Sequence, residues 1–164
     1  MFRSMKRGLD RALEFLTAFV MGVLVLDVTW QVVTRFILKN PSSWTEELAT
    51  YLLIWVGLLG SAVALNRRVH LGIDYFVGKL SEKKRLVSEV FVFTCIIVFA
   101  VSVLLVGGTQ LVAETFQLGQ TAPATGLKLG FVYLAVPIAG FFIAMYGLEF
   151  LVETILKMNR LSRT

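Results

Sequence analysis

The order of apolar and polar positions divides the chain into four long apolar spans joined by short polar stretches. The spans cover residues 13–37, 44–65, 86–112 and 129–156 of the 164. Each reaches the roughly 20 residues that a bilayer-spanning helix needs. The runs do not alternate as the strands of a membrane barrel do, and isolated strands in lipid would leave backbone groups unpaired. The pattern therefore predicts an all-α membrane protein, with residues 1–164 forming one domain of four transmembrane helices.

A shorter amphipathic segment lies between the second and third spans. Ile73, Phe76, Val77 and Leu80 fall at positions i, i+3, i+4 and i+7, with polar residues on the opposite side. The segment is too short to cross a bilayer. Its pattern is typical of a helix that lies in the membrane surface, so we predict an interfacial helix over about residues 70–80 on the cytoplasmic side.

The ends of the helices carry further signals. Ser43 and Glu46 have capping-box spacing, which predicts that the second helix begins at about Trp44. The third helix is predicted to run from about Glu82 to Phe116, which is roughly 50 Å in a hydrocarbon core about 30 Å thick. Such a helix must tilt or project from the membrane. Gly107-Gly108 is a candidate bend or close-packing point within it, and Pro137 predicts a kink in the fourth helix.

The positive charges alternate with the spans. Of the 16 Lys and Arg residues, four precede the first span, six lie between the second and third, and three follow the fourth. Because cytoplasmic loops carry the excess of Lys and Arg, both termini and the middle connection are predicted to be cytoplasmic. The formal net charge of +5 therefore indicates topology and contact with anionic lipid headgroups, and not nucleic-acid binding.

The residues that carry most catalytic chemistry are scarce. The chain has a single histidine, His70, and a single cysteine, Cys95, on different segments. We expect no enzyme activity, no metal site and no cofactor. Cys95 lies in an apolar run and is expected to be a buried free thiol, whereas His70 is expected to have a structural or headgroup-facing role.

Asp27 is the most unusual polar residue within the spans. A carboxylate inside a membrane helix is costly and marks a candidate functional site. Gln31 lies one turn along the same face. The alternative, which we favour, is that Asp27 hydrogen-bonds to a neighbouring helix or a partner chain.

Charged and aromatic residues gather at the predicted outer ends of the first two helices. Arg35 is expected to pair with Glu47, either as a surface ion pair of little energy or as part of a docking patch with Glu46. Trp44 and Trp55 are expected as interfacial-belt or helix-packing residues. Glu149 and Glu153, near the end of the fourth span, are expected to be a solvated helix end. The spans therefore carry too few ionisable groups for an ion-coupled pathway, which favours a scaffold subunit that packs against a larger membrane partner.

One stretch of the second helix carries a family resemblance. It consists of Trp44-Thr45-Glu46-Glu47-Leu48-Ala49 followed by Tyr51, Trp55, Gly57, Gly60, Ala64, Arg67, His70 and Asp74. Supporting matches are Arg35-Phe36, Thr121-Ala122-Pro123, Tyr133, Pro137 and Gly140. Over about Asp27 to Gly147 the chain resembles the DctQ-like small membrane subunit of tripartite ATP-independent periplasmic (TRAP) transporters.

The resemblance implies a bacterial inner-membrane protein that works with two partners. One is a periplasmic protein that captures an organic acid such as sialic acid or a C4-dicarboxylate. The other is a large membrane subunit with the substrate and sodium sites, whose transport domain moves in an elevator fashion against a static scaffold. The candidate partner-contact or structural positions are Arg35, Trp44, Glu46, Glu47, Trp55, Arg67, His70 and Asp74. Asp27 departs from the commoner family pattern, which has a neutral polar residue there.

Two other classes of function stay open. A small self-sufficient exporter acting as a dimer would use Asp27. A membrane enzyme or an assembly factor is the second alternative, and the scarcity of catalytic side chains counts against the enzyme.

Overall fold

The computed structural model describes residues 2–40, 42–67 and 82–161, with side chains from Lys6 onward. Its helices are α1 (Phe2–Val32), α2 (Ser43–Asn66), α3 (Glu82–Phe99), α4 (Gly108–Gln117), α5 (Leu129–Tyr133) and α6 (Ala135–Leu161). A π-helical stretch over Val33–Ile37 extends α1, and another over Ala100–Gly107 joins α3 to α4. The predicted interfacial helix, with His70 and Asp74, lies outside the described residues.

Within the described residues, four helical spans are long and apolar enough to cross a membrane, which confirms the predicted fold class. They are Lys6–Ile37, Ser43–Asn66, Glu82–Gln117 and Leu129–Leu161, called the first to fourth spans below. The third has 36 residues, about 54 Å at 1.5 Å per residue, so the long third helix is also present. The single-domain boundaries and the cytoplasmic placement of the termini stay predictions.

Among the described residues, the spans pack in an order that differs from their order in the chain. The first span packs on the second, the second on the fourth, and the fourth on the third. Accordingly, 33% of the most apolar window of the fourth span is buried in the protein, against 11% for the first and third. The fourth span is therefore central, and the first and third lie at opposite edges.

The first span meets the second along a seven-residue repeat. Its buried residues within the membrane segment are Leu13, Val20, Asp27 and Thr34. A repeat of seven keeps one side of a helix against a neighbour that crosses it with a left-handed twist. Asp27 therefore occupies a packing position within this seam.

The third and fourth spans approach closely at glycines. A Cβ atom on Gly140 would lie 2.6 Å from Cβ of Leu104, and one on Gly147 would lie 3.0 Å from Cγ1 of Ile97. A Cβ on Gly108 would lie 2.8 Å from Cγ1 of Val136. Small residues at such crossings let membrane helices pack through backbone contact, and Gly108 is thus the close-packing point that its sequence predicts.

The second span starts differently from its prediction, and the fourth is interrupted just before Pro137. The N-cap of α2 is Ser42, one residue earlier than predicted, and its side chain does not cap the helix. Instead the Thr45 hydroxyl donates to the Ser42 carbonyl at 2.8 Å, so the predicted Ser43–Glu46 capping box is wrong. In the fourth span, Leu134 separates α5 from α6 three residues before Pro137, which is consistent with the hydrogen bond that proline removes.

Candidate partner-contact surfaces and polar sites

Glu47 attaches the loop between the third and fourth spans, residues 118–128, to the start of α2. Its Oε2 accepts hydrogen bonds from the backbone N–H groups of Ala124, at 3.1 Å, and Thr125, at 2.7 Å. The Tyr51 hydroxyl, one turn along the helix, also interacts with this carboxylate. The ion pairs of the described residues do not include the expected Arg35–Glu47 pair, because the carboxylate is directed to the loop backbone.

The connection that Glu47 holds is itself an ordered turn. Ala122 is 2% exposed, and its N–H donates to the Leu127 carbonyl at 2.8 Å. Gly126, with φ of 70°, takes the left-handed conformation that glycine adopts at no steric cost. Thr121 and Lys128 form an isolated antiparallel bridge. The loop therefore presents a fixed shape at this end of the molecule.

Several predicted contact residues near the ends of the first two spans are exposed. Arg35, Trp44 and Glu46 are exposed, as is Lys128. Trp55 behaves differently, because it is half-buried and packs against the hydrophobic core. Glu46 and Glu47, adjacent in sequence, thus have separate environments: one faces outward and the other secures the loop.

At the opposite end, which carries both termini, a polar network joins the first span to the second and fourth. Tyr146 is fully buried, and its hydroxyl donates to Oδ1 of Asp10 at 2.6 Å. Lys6 pairs with Glu149, and Nη2 of Arg67 lies 3.0 Å from Oε1 of Glu14.

This network adds to one expectation and explains another. Glu149, expected with Glu153 at a solvated helix end, is partly exposed, and its carboxylate also binds the Lys6 ammonium; Glu153 is exposed. Arg67, a predicted contact residue, lies just after α2 and pairs with α1. Sequence reasoning missed Lys6, Asp10 and Tyr146. Their partners are 136 to 143 residues away, so no local spacing marks the contacts.

Asp27 lies in the middle of the first span and is 8% exposed. Its Oδ2 is buried without a hydrogen-bond partner among the described residues. Across that part of the chain, no group of three or more His, Cys, Asp or Glu side chains is placed to hold a metal ion. Within the described chain, Oδ2 of Asp27 therefore lacks the hydrogen bond to a neighbouring helix that we favoured.

Cys95 differs from its expectation. The free thiol is exposed on the side of the third span, and not buried as its apolar neighbours predicted. The reason is that, within the described part of the chain, the third span packs closely against the fourth span alone.

Comparisons with known proteins identify relatives over most of the chain. The chain is 30% identical over 149 residues to the sialic acid TRAP transporter small permease protein SiaQ of Vibrio cholerae, covering 90% of this chain and 83% of that protein. It is 34% identical over 84 residues to the sialic acid TRAP transporter permease protein SiaT of Haemophilus influenzae, covering 49% of this chain and 13% of the relative. It is 28% identical over 131 residues to the isethionate TRAP transporter permease protein DctMQ of Oleidesulfovibrio alaskensis, covering 76% and 20%.

These relatives, together with the four membrane-length helices, place the chain in the bacterial inner membrane. The family model described as the DctQ component of tripartite ATP-independent periplasmic transporters matches residues 24–157. The match covers both ends of the Glu47 contact, and Asp27 and Thr34 of the seam with α2. The chain therefore belongs to the DctQ family, the small membrane component of TRAP transporters.

Proposed function

We propose that this chain is the non-catalytic scaffold subunit of a sodium-coupled, binding-protein-dependent transporter that imports organic acids such as sialic acids or C4-dicarboxylates. It widens the static part of a large elevator-type membrane subunit. The observation that carries the proposal is the open arrangement of the spans. The first and third spans each pack closely against one neighbouring span of the described chain, which leaves long apolar faces available to a larger protein.

The longer relatives support a partnership within the membrane. In the SiaT and DctMQ permeases, the segment that resembles this chain makes up 13% and 20% of the polypeptide. In those proteins a DctQ-like unit is thus covalently part of a larger permease. A separate chain of the same kind would meet its large subunit through non-covalent contacts.

The polar groups of the spans support placing the transport sites in the large subunit and a structural role in this chain. Asp27 is the one buried carboxylate among the described residues, and a desolvated cation needs several oxygen ligands. One carboxylate does not supply them. We therefore assign the sodium and substrate sites to the large subunit, and a structural role to this chain.

The loop end supports a second contact, with the periplasmic binding protein. Glu47 fixes the shape of the loop that contains Ala124 and Thr125, and Arg35, Trp44 and Glu46 are exposed beside it. A rigid, charged surface can be recognised without the entropy cost of ordering a flexible loop. Glu47 acts in this proposal by positioning the loop.

The first experiment is purification of the tagged chain from its native membranes in mild detergent, with the co-purifying proteins identified by mass. A larger polytopic protein at fixed stoichiometry supports the scaffold role. Recovery of the chain alone as a homodimer contradicts it and favours the exporter that uses Asp27. That exporter would transport substrate alone in liposomes and lose transport on Asp27→Asn, whereas a scaffold shows no transport alone with either residue.

Docking is tested with charge reversals at the two ends of the molecule. Glu47→Lys is expected to lower uptake by the assembled transporter while the large subunit still co-purifies. Glu82→Lys, an equal charge change at the exposed start of α3, is the matched control. If Glu47→Lys left both assembly and uptake unchanged, the proposed docking role would be refuted.

A further inference from the structure

A groove runs along one side of the protein between the second and third spans, with the fourth span as its floor. Ser61, Ala64 and Leu65 of α2 form one wall, and Cys95, Ile96 and Phe99 of α3 form the other. Ile143 of α6 lies at the floor, and the volume is about 450 Å³. This size falls within the roughly 300–1,000 Å³ typical of small-molecule sites.

The groove is apolar and open to the bilayer. Ser61, Cys95 and Phe99 are exposed, and the Ser61 hydroxyl is already used within its helix, donating to the Gly57 carbonyl at 2.7 Å. Along the helix axes the walls extend over residues 61–65 and 95–99, only about 6 Å each. A transmembrane helix, about 10 Å across, needs a much longer contact. An extended hydrocarbon chain fits these dimensions better.

Two basic residues lie beyond the groove, toward the end of the molecule that carries the termini. On α3, Lys84 precedes Cys95 by eleven residues, which is three turns and about 16 Å, so helical periodicity places both on one side. On α6, Lys157 follows Ile143 by fourteen residues, four turns and about 21 Å along the same side.

The two lysines are at similar depth. Gly147 of the fourth span packs against Ile97 of the third. Lys157 lies ten residues beyond that contact and Lys84 thirteen residues before it. Because the two helices are antiparallel, both ammonium groups lie about 15–20 Å from it in the same direction. Both side chains are exposed, and among the described residues neither takes part in an ion pair.

We propose that this groove binds one anionic phospholipid, with part of an acyl chain between α2 and α3 and the headgroup against Lys84 and Lys157. The hydrocarbon part gains only packing, because the surrounding lipid is as apolar as the groove. Selection therefore comes from the headgroup charge. Basic sites between membrane helices on the cytoplasmic side are suited to anionic headgroups, and this end is the predicted cytoplasmic one. The site is independent of the scaffold role.

The test is native mass spectrometry of the full chain, with any co-purified subunit, in detergent with defined phosphatidylglycerol or phosphatidylcholine. We expect one retained phosphatidylglycerol in preference to phosphatidylcholine. Lys84→Gln and Lys157→Gln should each weaken that preference about fivefold, the effect of one basic residue near an anionic surface. Arg11→Gln, on the exposed side of the first span at the same end, should leave it unchanged.

A second pair of variants tests the groove itself. Ser61→Trp fills it and should abolish retention of the lipid. Thr94→Trp is the matched control, since Thr94 is also exposed and hydrogen-bonded to its own helix, at 2.7 Å from the Val90 carbonyl, but does not line the groove.

Equal retention of the two lipids by the wild-type chain would overturn the proposal, as would a retained phosphatidylglycerol in Ser61→Trp. A lipid that binds only after a large partner subunit has been removed would also overturn it, and would assign the groove to that partner.

Discussion

Gly140→Ala tests whether the third and fourth spans are held together by backbone contact. A Cβ at Gly140 would lie 2.6 Å from Cβ of Leu104 and 3.1 Å from both the Leu104 carbonyl carbon and the Leu105 nitrogen. Non-bonded carbon atoms normally remain about 3.5–4.0 Å apart. Two of the three obstructing atoms belong to the backbone, so no side-chain rotation relieves the clash, and the helices must separate by about 1 Å.

Two opposing terms set the size of the effect. Overpacking costs about 1–3 kcal/mol, and the separation also weakens the neighbouring contacts at Gly108 and Gly147, because a gap of 0.5–1 Å loses about a quarter to a half of each contact energy. Against this, alanine is favoured over glycine in a helix by about 1 kcal/mol. We therefore expect Gly140→Ala to lower the free energy of unfolding by about 1–2 kcal/mol.

Gly57→Ala is the matched control. No atom lies within 4 Å of a Cβ at Gly57, so the gain in helix propensity is unopposed, and the free energy of unfolding should rise by about 0.5–1 kcal/mol. The assay is reversible unfolding of the purified protein in mixed detergent micelles, followed by circular dichroism. If Gly140→Ala is as stable as wild type, or both variants shift in the same direction, close packing at this crossing is refuted.

Three further predictions concern the polar contacts. Glu47→Gln should accelerate amide hydrogen exchange in the loop at Ala124 and Thr125, whereas Glu46→Gln, whose side chain is exposed, should not; equal rates in both variants would contradict the contact. Tyr146→Phe removes the 2.6 Å bond to Asp10 and should lower the free energy of unfolding by about 1–2 kcal/mol, and no loss in the same unfolding assay would refute it. Asp27→Leu removes a buried oxygen without a partner and should raise that free energy by about 1–3 kcal/mol, with uptake by the assembled transporter retained; a loss of stability would show that a partner satisfies the carboxylate.

The positions of the membrane spans were predictable because the membrane sets their length and the charges set their ends. Hydropathy predicts the third membrane span over residues 86–112, and the continued helical run to Phe116 indicates the unusual length of the third helix. The start of α2 was misplaced by one residue, because Ser42 and Ser43 are both plausible N-caps and only the structure shows that Thr45 turns back to the Ser42 carbonyl.

The packing of the spans against one another could not be predicted from hydropathy and charge. In a soluble helix the apolar stripe marks the buried side, but lipid is as apolar as a protein core, so leucine and phenylalanine occur on every side of these spans. The informative residues were the small ones, such as Gly140 and Gly147, seven positions apart on the side that meets the third span. Lys6–Glu149 and Glu47–Thr125 join distant segments, and the second involves a backbone N–H that every residue type except proline carries.

The surroundings of the glycines distinguish two kinds of helix surface. Atoms of a neighbouring helix already occupy the space that a Cβ at Gly140 or Gly147 would need. Gly57 and Gly60 have no atom within 4 Å of a Cβ position. Small residues cost a membrane helix apolar contact area unless another surface approaches closely. The third–fourth crossing is thus complete within this chain. The face of α2 that carries Gly57 and Gly60 is not. Ser61 and Ala64 of the groove wall lie one turn along the same face, so the close approach that these small residues allow includes the lipid chain proposed above.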